Sequence, residues 1–188
     1  VFSGTLTARS GTTLSSTLTV TSDVVFSGGL TVASGITFSG GATYASGVTL
    51  SSTLAVASGM TASSTLTATS AVTFSANLQV AGSVLASSTL GVTSLATFSG
   101  PLQVAGSVAA SSTLAVASGA AFSSTTTHTS TAAFSANVTA TGSVVASSTL
   151  AVTSGITGSS TLTLTSLALL SGPLQVTGSA LLSSTLTV

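Results

Sequence analysis

The sequence predicts an all-β protein, a repetitive β-solenoid or β-helix fibre, and three observations carry this prediction. The chain repeats a 12-residue unit about sixteen times without one insertion or deletion. Within each unit, apolar residues alternate with other residues in short pairs, which is typical of strands with one buried face. The segments between these pairs are rich in Ser, Gly, Asn, Pro and Thr, which favour turns. Residues 1–188 are therefore expected to form a single continuous repeat array.

The strand prediction rests on the places of the apolar residues within the unit. The unit can be followed from Thr12, where TTLSSTLTVTSD begins, and its fourth place is Ser in every copy. Apolar residues occupy places 1, 3, 7 and 9, a spacing that does not hold one face of a helix. We expect these places to be buried and the intervening Thr31, Thr49 and Thr67 to be more exposed. The core residues predicted in this way include Phe26, Phe38, Leu54, Val56, Phe74, Leu78, Phe98, Leu114 and Val116.

Three arrangements of this repeat fit the pattern. The one we favour is a single-chain, two-sided β-solenoid with 12-residue coils, in which every column of side chains is chemically uniform. A ladder spacing of about 4.8 Å then makes sixteen coils a rod of roughly 75–80 Å. One alternative is an intertwined homotrimeric β-helix fibre, with places 3, 7 and 9 facing a shared axis. The other is a three-sided, 18-residue coil, whose faces alternate between the two halves of the unit at each level.

Composition excludes several functional classes. The only charged residues are Arg9 and Asp23, and the net charge is zero, so the chain lacks the basic surface that nucleic-acid binding requires. The mean hydropathy is +0.82, but Ser or Thr interrupts the apolar residues throughout. No run of about 20 apolar residues is therefore available to insert into a membrane as a helix.

The residues needed for enzymatic chemistry are also missing. The chain has one His, one acidic residue and no Cys, so one copy cannot assemble a catalytic triad, a carboxylate pair or a two-metal site. No phosphate-binding or dinucleotide-binding motif occurs among the glycines. We therefore expect a protein that is not an enzyme, with no catalytic or cofactor-binding residues and no cofactor.

His128 is the one weak candidate for a metal ligand. It occupies place 9 of the unit 120–131, where Val is usual, and Thr126 replaces the usual Leu of place 7 in the same unit. Three copies that met on a trimer axis could bind a metal or an anion there. A drifted repeat, whose His points to water or bonds a neighbouring Thr, is the interpretation we favour, so the sequence predicts no metal site.

Four other residues stand out from the repeat. Arg9 and Asp23 fall in turns, where we expect them to be solvated. Tyr44 stands at place 9 close to Ala42, which suggests a large residue that compensates for a small one. The sequence Asn-Val-Thr at 137–139 matches an N-glycosylation acceptor in a turn, which matters only if the chain passes through a eukaryotic secretory route.

The repeats resemble a known family of fibre proteins. The strings TTLSSTLTVTS at 12–22 and SSTLAVASG at 51–59 and 111–119 are similar to the tandem shaft repeats of phage and giant-virus tail-fibre-like proteins. The resemblance covers essentially the whole chain. It implies a rigid, usually trimeric stalk that carries a receptor-binding tip, and it implies no catalytic residues.

The outward places 2, 8 and 10 are mostly Thr and Ala, and they suggest a second functional class. Rows of outward Thr on a β-solenoid are similar to the faces of repeat antifreeze proteins, which implies a surface-binding or ice-binding module, or an adhesin stalk, as the alternative. In those proteins the Thr rows are regular and the core contains Cys, whereas here Ala often replaces Thr and Cys is absent.

The sequence hypothesis is a structural fibre or shaft segment that gives rigid extension without catalysis. We expect it to be an excerpt of a longer shaft, located outside the cell or on a virion surface. Uncharged walls do little to prevent association, so we expect self-association, head-to-tail, lateral or as a homotrimer, with glycans possible on Ser and Thr. Nucleic acid and membrane insertion are not expected.

Overall fold

The computed structural model describes residues 3–183 and 185–187. These residues form strands and turns only, and a new strand of three residues begins at every sixth residue. The strands in chain order are β1 (Leu6–Ala8), β2 (Thr12–Leu14), β3 (Leu18–Val20), β4 (Val24–Phe26), β5 (Leu30–Val32), β6 (Ile36–Phe38), β7 (Ala42–Tyr44), β8 (Val48–Leu50), β9 (Leu54–Val56), β10 (Met60–Ala62), β11 (Leu66–Ala68), β12 (Val72–Phe74), β13 (Leu78–Val80), β14 (Val84–Ala86), β15 (Leu90–Val92), β16 (Ala96–Phe98), β17 (Leu102–Val104), β18 (Val108–Ala110), β19 (Leu114–Val116), β20 (Ala120–Phe122), β21 (Thr126–His128), β22 (Ala132–Phe134), β23 (Val138–Ala140), β24 (Val144–Ala146), β25 (Leu150–Val152), β26 (Ile156–Gly158), β27 (Leu162–Leu164), β28 (Ala168–Leu170), β29 (Leu174–Val176), β30 (Ala180–Leu182) and β31 (Leu186–Thr187).

The strands form three parallel sheets, and the predicted β-solenoid is confirmed. Each strand pairs with the third strand after it. Sheet 1 therefore contains β1 and every third strand up to β31, which makes 11 strands. Sheet 2 runs in the same way from β2 to β29 and sheet 3 from β3 to β30, with 10 strands each. Leu6 pairs with Val24, its counterpart after one 18-residue step, and the same register holds along the described chain.

The predicted 12-residue coil is wrong, because the solenoid has an 18-residue turn with three sides. The ten steps of sheet 1 then span about 48 Å at the usual ladder spacing, instead of the roughly 75–80 Å predicted from 12-residue coils. One chain supplies every strand of all three sheets. The intertwined homotrimeric fold is therefore not the one adopted, and the three-sided alternative is.

An 18-residue turn is compatible with a 12-residue repeat, because both are multiples of the six-residue half-unit. Each turn holds three half-units, and the sequence alternates two kinds of half-unit, so stacked strands in one sheet are always of opposite kind. In sheet 1, Leu78 stacks on Ala96 while Val80 stacks on Phe98, and the next step reverses the order, with Phe98 on Val116. In these steps a large side chain stacks on a small one, although Phe26 on Tyr44 is an exception. Two turns equal three repeats.

The predicted core residues are buried. Places 1, 3, 7 and 9 of the unit are the inward positions of the strands, and the nine named core residues are each at most 1% exposed. Thr31 and Thr49 are exposed, and Thr67 is intermediate. The core is a single apolar column that runs along the axis and is bounded by the three sheets.

Backbone ladders continue around the corners of the coil. We call the residue immediately before each strand the corner residue. Its carbonyl accepts a hydrogen bond from the first strand residue of the preceding turn, as Leu95 O does from Leu78 N at 2.8 Å and Pro101 O does from Val84 N at 2.9 Å. Because the ladder uses the corner carbonyl and not the corner N–H, Pro can occupy a corner without loss of a ladder bond.

Several glycines in the turns are required by close packing between turns. The described residues include no positive φ angle, so the turns do not use the left-handed conformation that glycine readily adopts. A Cβ atom on Gly40 would instead lie 2.4 Å from the carbonyl carbon of Ser22 in the preceding turn. By contrast, a Cβ on Gly59 would meet its nearest atom, the Asn77 carbonyl oxygen, at an ordinary 3.5 Å.

Candidate functional site

The most unusual side chains of the core meet in the turn that contains His128. This residue is the third residue of β21, and its ring points into the core at 1% exposure. The Phe134 ring of the next strand lies edge-on to it, with 6.1 Å between ring centroids, and Phe122 of the previous strand packs edge-on to Phe134 at 6.2 Å. Three rings therefore fill one level of the core.

Among the described residues, the imidazole of His128 has one hydrogen-bond partner. Its Nε2 lies 2.9 Å from the Oγ1 of Thr126, two residues earlier in the same strand, and Thr126 is fully buried. A bond to a neighbouring Thr was part of the interpretation that the sequence favoured. The Nδ1 is buried without a hydrogen-bond partner among the described residues. Because burial penalises the charged ring, the pKa of His128 falls from 6.5 to about 4.

Space for the His128 ring comes from the adjacent turns. Ala110 lies on one side of His128 in the column and Ala146 on the other, although Phe or Leu is common at this place of the repeat. At this level the large residue, His128, stands at the place where the repeat usually has the smaller Val, and alanines stand at the two places where Phe or Leu is common. A large side chain therefore still lies between two small ones. The sequence signal for this exchange is the pair of alanines one turn before and one turn after His128, which can be recognised only once the turn length is known.

The location of His128 argues against a metal site shared by three copies of the chain. Such a site needs the ring on the outside of each chain, where three copies can approach one another. The ring is enclosed by its own chain instead, and its Nε2 is engaged with Thr126. Among the described residues, no group of three or more His, Cys, Asp or Glu lies close enough to hold a metal ion.

Tyr44 is the other polar ring in the core. It is 1% exposed and stacks on Phe26 of the preceding turn, with centroids 5.5 Å apart and planes that differ by 2°. On its other side in the column lies Ala62, and Ala42 is in its own strand. Both small residues accommodate the ring, as the sequence suggested for Ala42. The buried hydroxyl has no hydrogen-bond partner among the described residues, and burial raises its pKa.

At two corners of the described chain, a side chain accepts a hydrogen bond from the corner N–H of the next turn, a role that the sequence did not predict. Asp23 Oδ1 accepts a hydrogen bond from Gly41 N at 2.8 Å, and Asn137 Oδ1 accepts one from Gly155 N at 3.0 Å. The backbone ladder leaves the N–H of each corner residue without a partner. Asp23 and Asn137 each supply an acceptor for the corner N–H of the next turn. Arg9 is exposed, as expected, and so is Asp23. Asn137 is also exposed, but its amide oxygen is part of the corner.

The outward faces consist mainly of small neutral side chains. Each sheet presents a column made of the second residue of its strands. The column of sheet 2 begins with four successive threonines, Thr13, Thr31, Thr49 and Thr67. The corresponding column of sheet 1 contains three successive alanines, Ala115, Ala133 and Ala151. The faces therefore differ from one another in polarity, although they share the same backbone geometry.

The surface depressions are shallow and neutral. One of about 340 Å³ lies beside Gly119, where the missing side chain opens a notch between Pro101 and Asn137. Another of about 380 Å³ lies beside Gly59, next to Asn77. The lining of neither depression contains a titratable side chain. Amide, hydroxyl and methyl groups are the chemistry that these notches offer.

The comparisons with known proteins give no relative for this chain. No family model matches it, and no curated protein and no solved structure does. In the described residues there is no helix long and apolar enough to cross a membrane.

Proposed function

We propose that the chain is a structural fibre or shaft segment that provides rigid extension, of the tail-fibre-like or extracellular-filament type. The observation that carries this proposal is the unbroken 18-residue register through the described turns. Each turn contacts only the turns before and after it, so length can increase without a change in the rest of the molecule. A protein built in this way holds two points apart at a fixed distance.

The core supports a stiff rod. Inward side chains are buried from Leu18 to Leu170, and the ladders bind every strand between the two edges of a sheet to both of its neighbours. To bend such a rod, ladder bonds on one face must stretch while the packed core on the other face is compressed. Both changes are resisted, because close-packed interiors have low compressibility.

The outer walls suit a fibre that self-associates outside the cell or on a virion. With Arg9 and Asp23 as the only charges, the walls have almost no electrostatic repulsion to keep copies apart. We therefore include self-association in the proposal, whether head-to-tail, lateral or as a homotrimer of closed rods. The many exposed Ser and Thr hydroxyls could also carry glycans.

Immunogold electron microscopy tests the proposed function. Antibodies raised against the folded chain would be applied to intact, unpermeabilised cells of the source and to its virus particles. A shaft predicts gold along thin projections on one of these surfaces. Gold found only after the cells are opened, in the interior and away from any projection, would contradict the proposal.

A surface-binding or ice-binding module is the second candidate, and the threonine column of sheet 2 favours it. Thr13, Thr31, Thr49 and Thr67 repeat at about 4.8 Å along the rod. The same column then continues with Leu85 and Gln103, so the regular array is one side chain wide and four turns long. Thermal hysteresis of the purified chain tests this second candidate. A clear freezing-point depression that is lost in Thr49→Leu would support ice binding. The absence of any freezing-point depression at millimolar protein concentration would reject it.

A further inference from the structure

One face of sheet 1 carries an exposed apolar strip in the second half of the chain. Leu95 and Leu167 are corner residues of the same column, 40% and 39% exposed, and Leu169 beside Leu167 is 47% exposed. Between these two levels the second strand residues are alanines. The apolar strip is defined as Leu95, Ala115, Ala133, Ala151, Leu167 and Leu169.

The corner column and the three alanines of the apolar strip form a self-complementary pattern. Its corner column reads Leu95, Thr113, Thr131, Thr149, Leu167, which is the same in both directions about Thr131. The neighbouring column has Ala133 at the same level, with Ala115 and Ala151 one turn to either side. A twofold rotation about the strand direction at this level superimposes threonine on threonine and alanine on alanine, places Leu95 and Leu167 of the corner column on each other, and places Leu169 opposite Thr97.

Charge is absent from the apolar strip and its surroundings. Arg9 and Asp23 belong to the first two levels of the same sheet, and four turns, about 19 Å, separate Asp23 from Leu95. Two strips can therefore meet without the burial of an unpaired charge, which would be costly. Exposed leucines beside flat alanines also give a surface that loses apolar area to water when it is covered.

We propose that the apolar strip is an interface between two copies of this chain, which pack face to face and antiparallel with Ala133 on the twofold axis. The interface is isologous, so Leu95 of each copy contacts the Leu167 end of the other. The pairing gives a specific surface to the lateral self-association included in the proposed function. It does not require that the chain be a shaft, because a surface-binding module can pair in the same way.

The size of the contact sets the expected strength. Five levels at about 4.8 Å and a width of roughly 14 Å give on the order of 340 Å² for each copy. A pair of strips alone therefore falls below the roughly 1,200 Å² of total area that is typical of stable complexes. The pairing is expected to be weak and concentration-dependent, which calls for a covalent readout.

Disulfide trapping in the full chain tests the pairing, and it is unambiguous because the protein has no cysteine. Under mild oxidation, Ala133→Cys is expected to form a covalent dimer about tenfold or more faster than Ala121→Cys. Ala121 is the matched control, since it is also the second residue of a strand but belongs to sheet 2. Circular dichroism of both variants checks that each retains the fold.

A mixing experiment tests the antiparallel direction. Leu95→Cys and Leu167→Cys are expected to cross-link slowly when each is oxidised alone and at least several-fold faster when they are mixed. Fast cross-linking of each variant alone would show a parallel pairing and overturn the proposal. Equal trapping of Ala133→Cys and Ala121→Cys would show random collision, or a partner other than a second copy on this face, and would overturn it as well.

Discussion

Thr126 Oγ1 and His128 Nε2 lie 2.9 Å apart inside a core that is otherwise apolar except for the Tyr44 hydroxyl, and each is the other's only side-chain partner given by the structure. Both residues break the repeat in the same unit, and they break it together. The hydroxyl and the ring nitrogen satisfy each other, so the two polar substitutions cost less as a pair than either would alone.

This pairing predicts non-additive mutations. Thr126→Val alone leaves Nε2 buried without a partner and should lower the free energy of unfolding by about 1–3 kcal/mol. Adding His128→Phe removes the second polar group while the ring still fills the space between Ala110 and Ala146. The double variant should therefore be at least as stable as the natural protein. Urea denaturation of the four proteins in the cycle measures this coupling, and purely additive effects would argue against the pair.

Return to the usual residues of the repeat, Thr126→Leu with His128→Val, is not the best stabilising change in this structure. Valine between two alanines would leave the level underfilled, and unfilled core volume is destabilising. Phenylalanine keeps a large side chain between two small ones, as at Phe38 and Phe74 of the same column. The exchange of sizes at His128 thus decides which substitution is the better one.

The low pKa of His128 predicts a pH-dependent stability. Because the pKa is about 4 in the folded chain and near 6.5 when unfolded, the unfolded chain binds the proton first as the pH falls. Stability should be full above about pH 6.5, decline by ~3 kcal/mol on the way to pH 4, and level off below that. Thermal unfolding at several pH values checks this, with His128→Phe as the control that should lack most of the decline.

Two glycines should respond in opposite directions to the same substitution. Gly40→Ala places a Cβ 2.4 Å from the backbone of Ser22, so the turns must separate locally and stability should fall by at least about 1 kcal/mol. Gly158 is the inward third residue of β26, where a Cβ would meet only the Val176 Cγ2 at 3.8 Å. Gly158→Ala should therefore raise stability by about 0.5–1 kcal/mol. Equal signs in thermal denaturation would contradict the packing described for the turns.

The alternation of large and small side chains predicts that some deletions are tolerated and others are not. Removal of residues 78–89, which is one repeat but only two thirds of a turn, stacks Phe74 on Val104 and keeps the alternation. Removal of residues 102–119, a whole turn, stacks Phe98 on Phe134 and Ala96 on Ala132. The first variant should fold nearly as well as the natural chain, and the second should lose about 2 kcal/mol or more, because one column is crowded and the other is underfilled.

Deletion of residues 78–95 controls for length, since it also removes one turn but places Phe74 on Ala110. If this control were as unstable as the 102–119 deletion, chain length would explain the loss and the alternation would not. Chemical denaturation of the three variants gives the comparison.

The sequence predicted the strands, the buried places and the solenoid because alternation of period two and turn residues are local properties. It did not predict the turn length. Phe38, for example, has an equivalent place one repeat later at Leu50, yet its stacked neighbour is Val56, half a repeat further along the chain. A step of 12 residues and a step of 18 residues both lead from Phe38 to another inward position, so the pattern of burial does not distinguish them. The number of half-units in a turn depends on how the corners bend and on how much side-chain volume the core must hold.

The same limit applied to the residues with special roles. Asp23 reads as a solvated turn residue, and its bond to Gly41 becomes visible only when positions one turn apart are known to be neighbours. The exchange of sizes around His128 was hidden for the same reason. Once the turn length is known, each of these contacts follows from the printed sequence.

The distance between two labelled residues tests the 18-residue turn most directly. Thr31 and Thr139 are both second strand residues of sheet 2, and they lie six turns apart in its ladder. Spin labels on cysteines at these two positions should be about 29 Å apart by pulsed electron resonance, which corresponds to those six turns. A 12-residue coil would place nine turns between them and give about 43 Å, and that distance would contradict the three-sided solenoid.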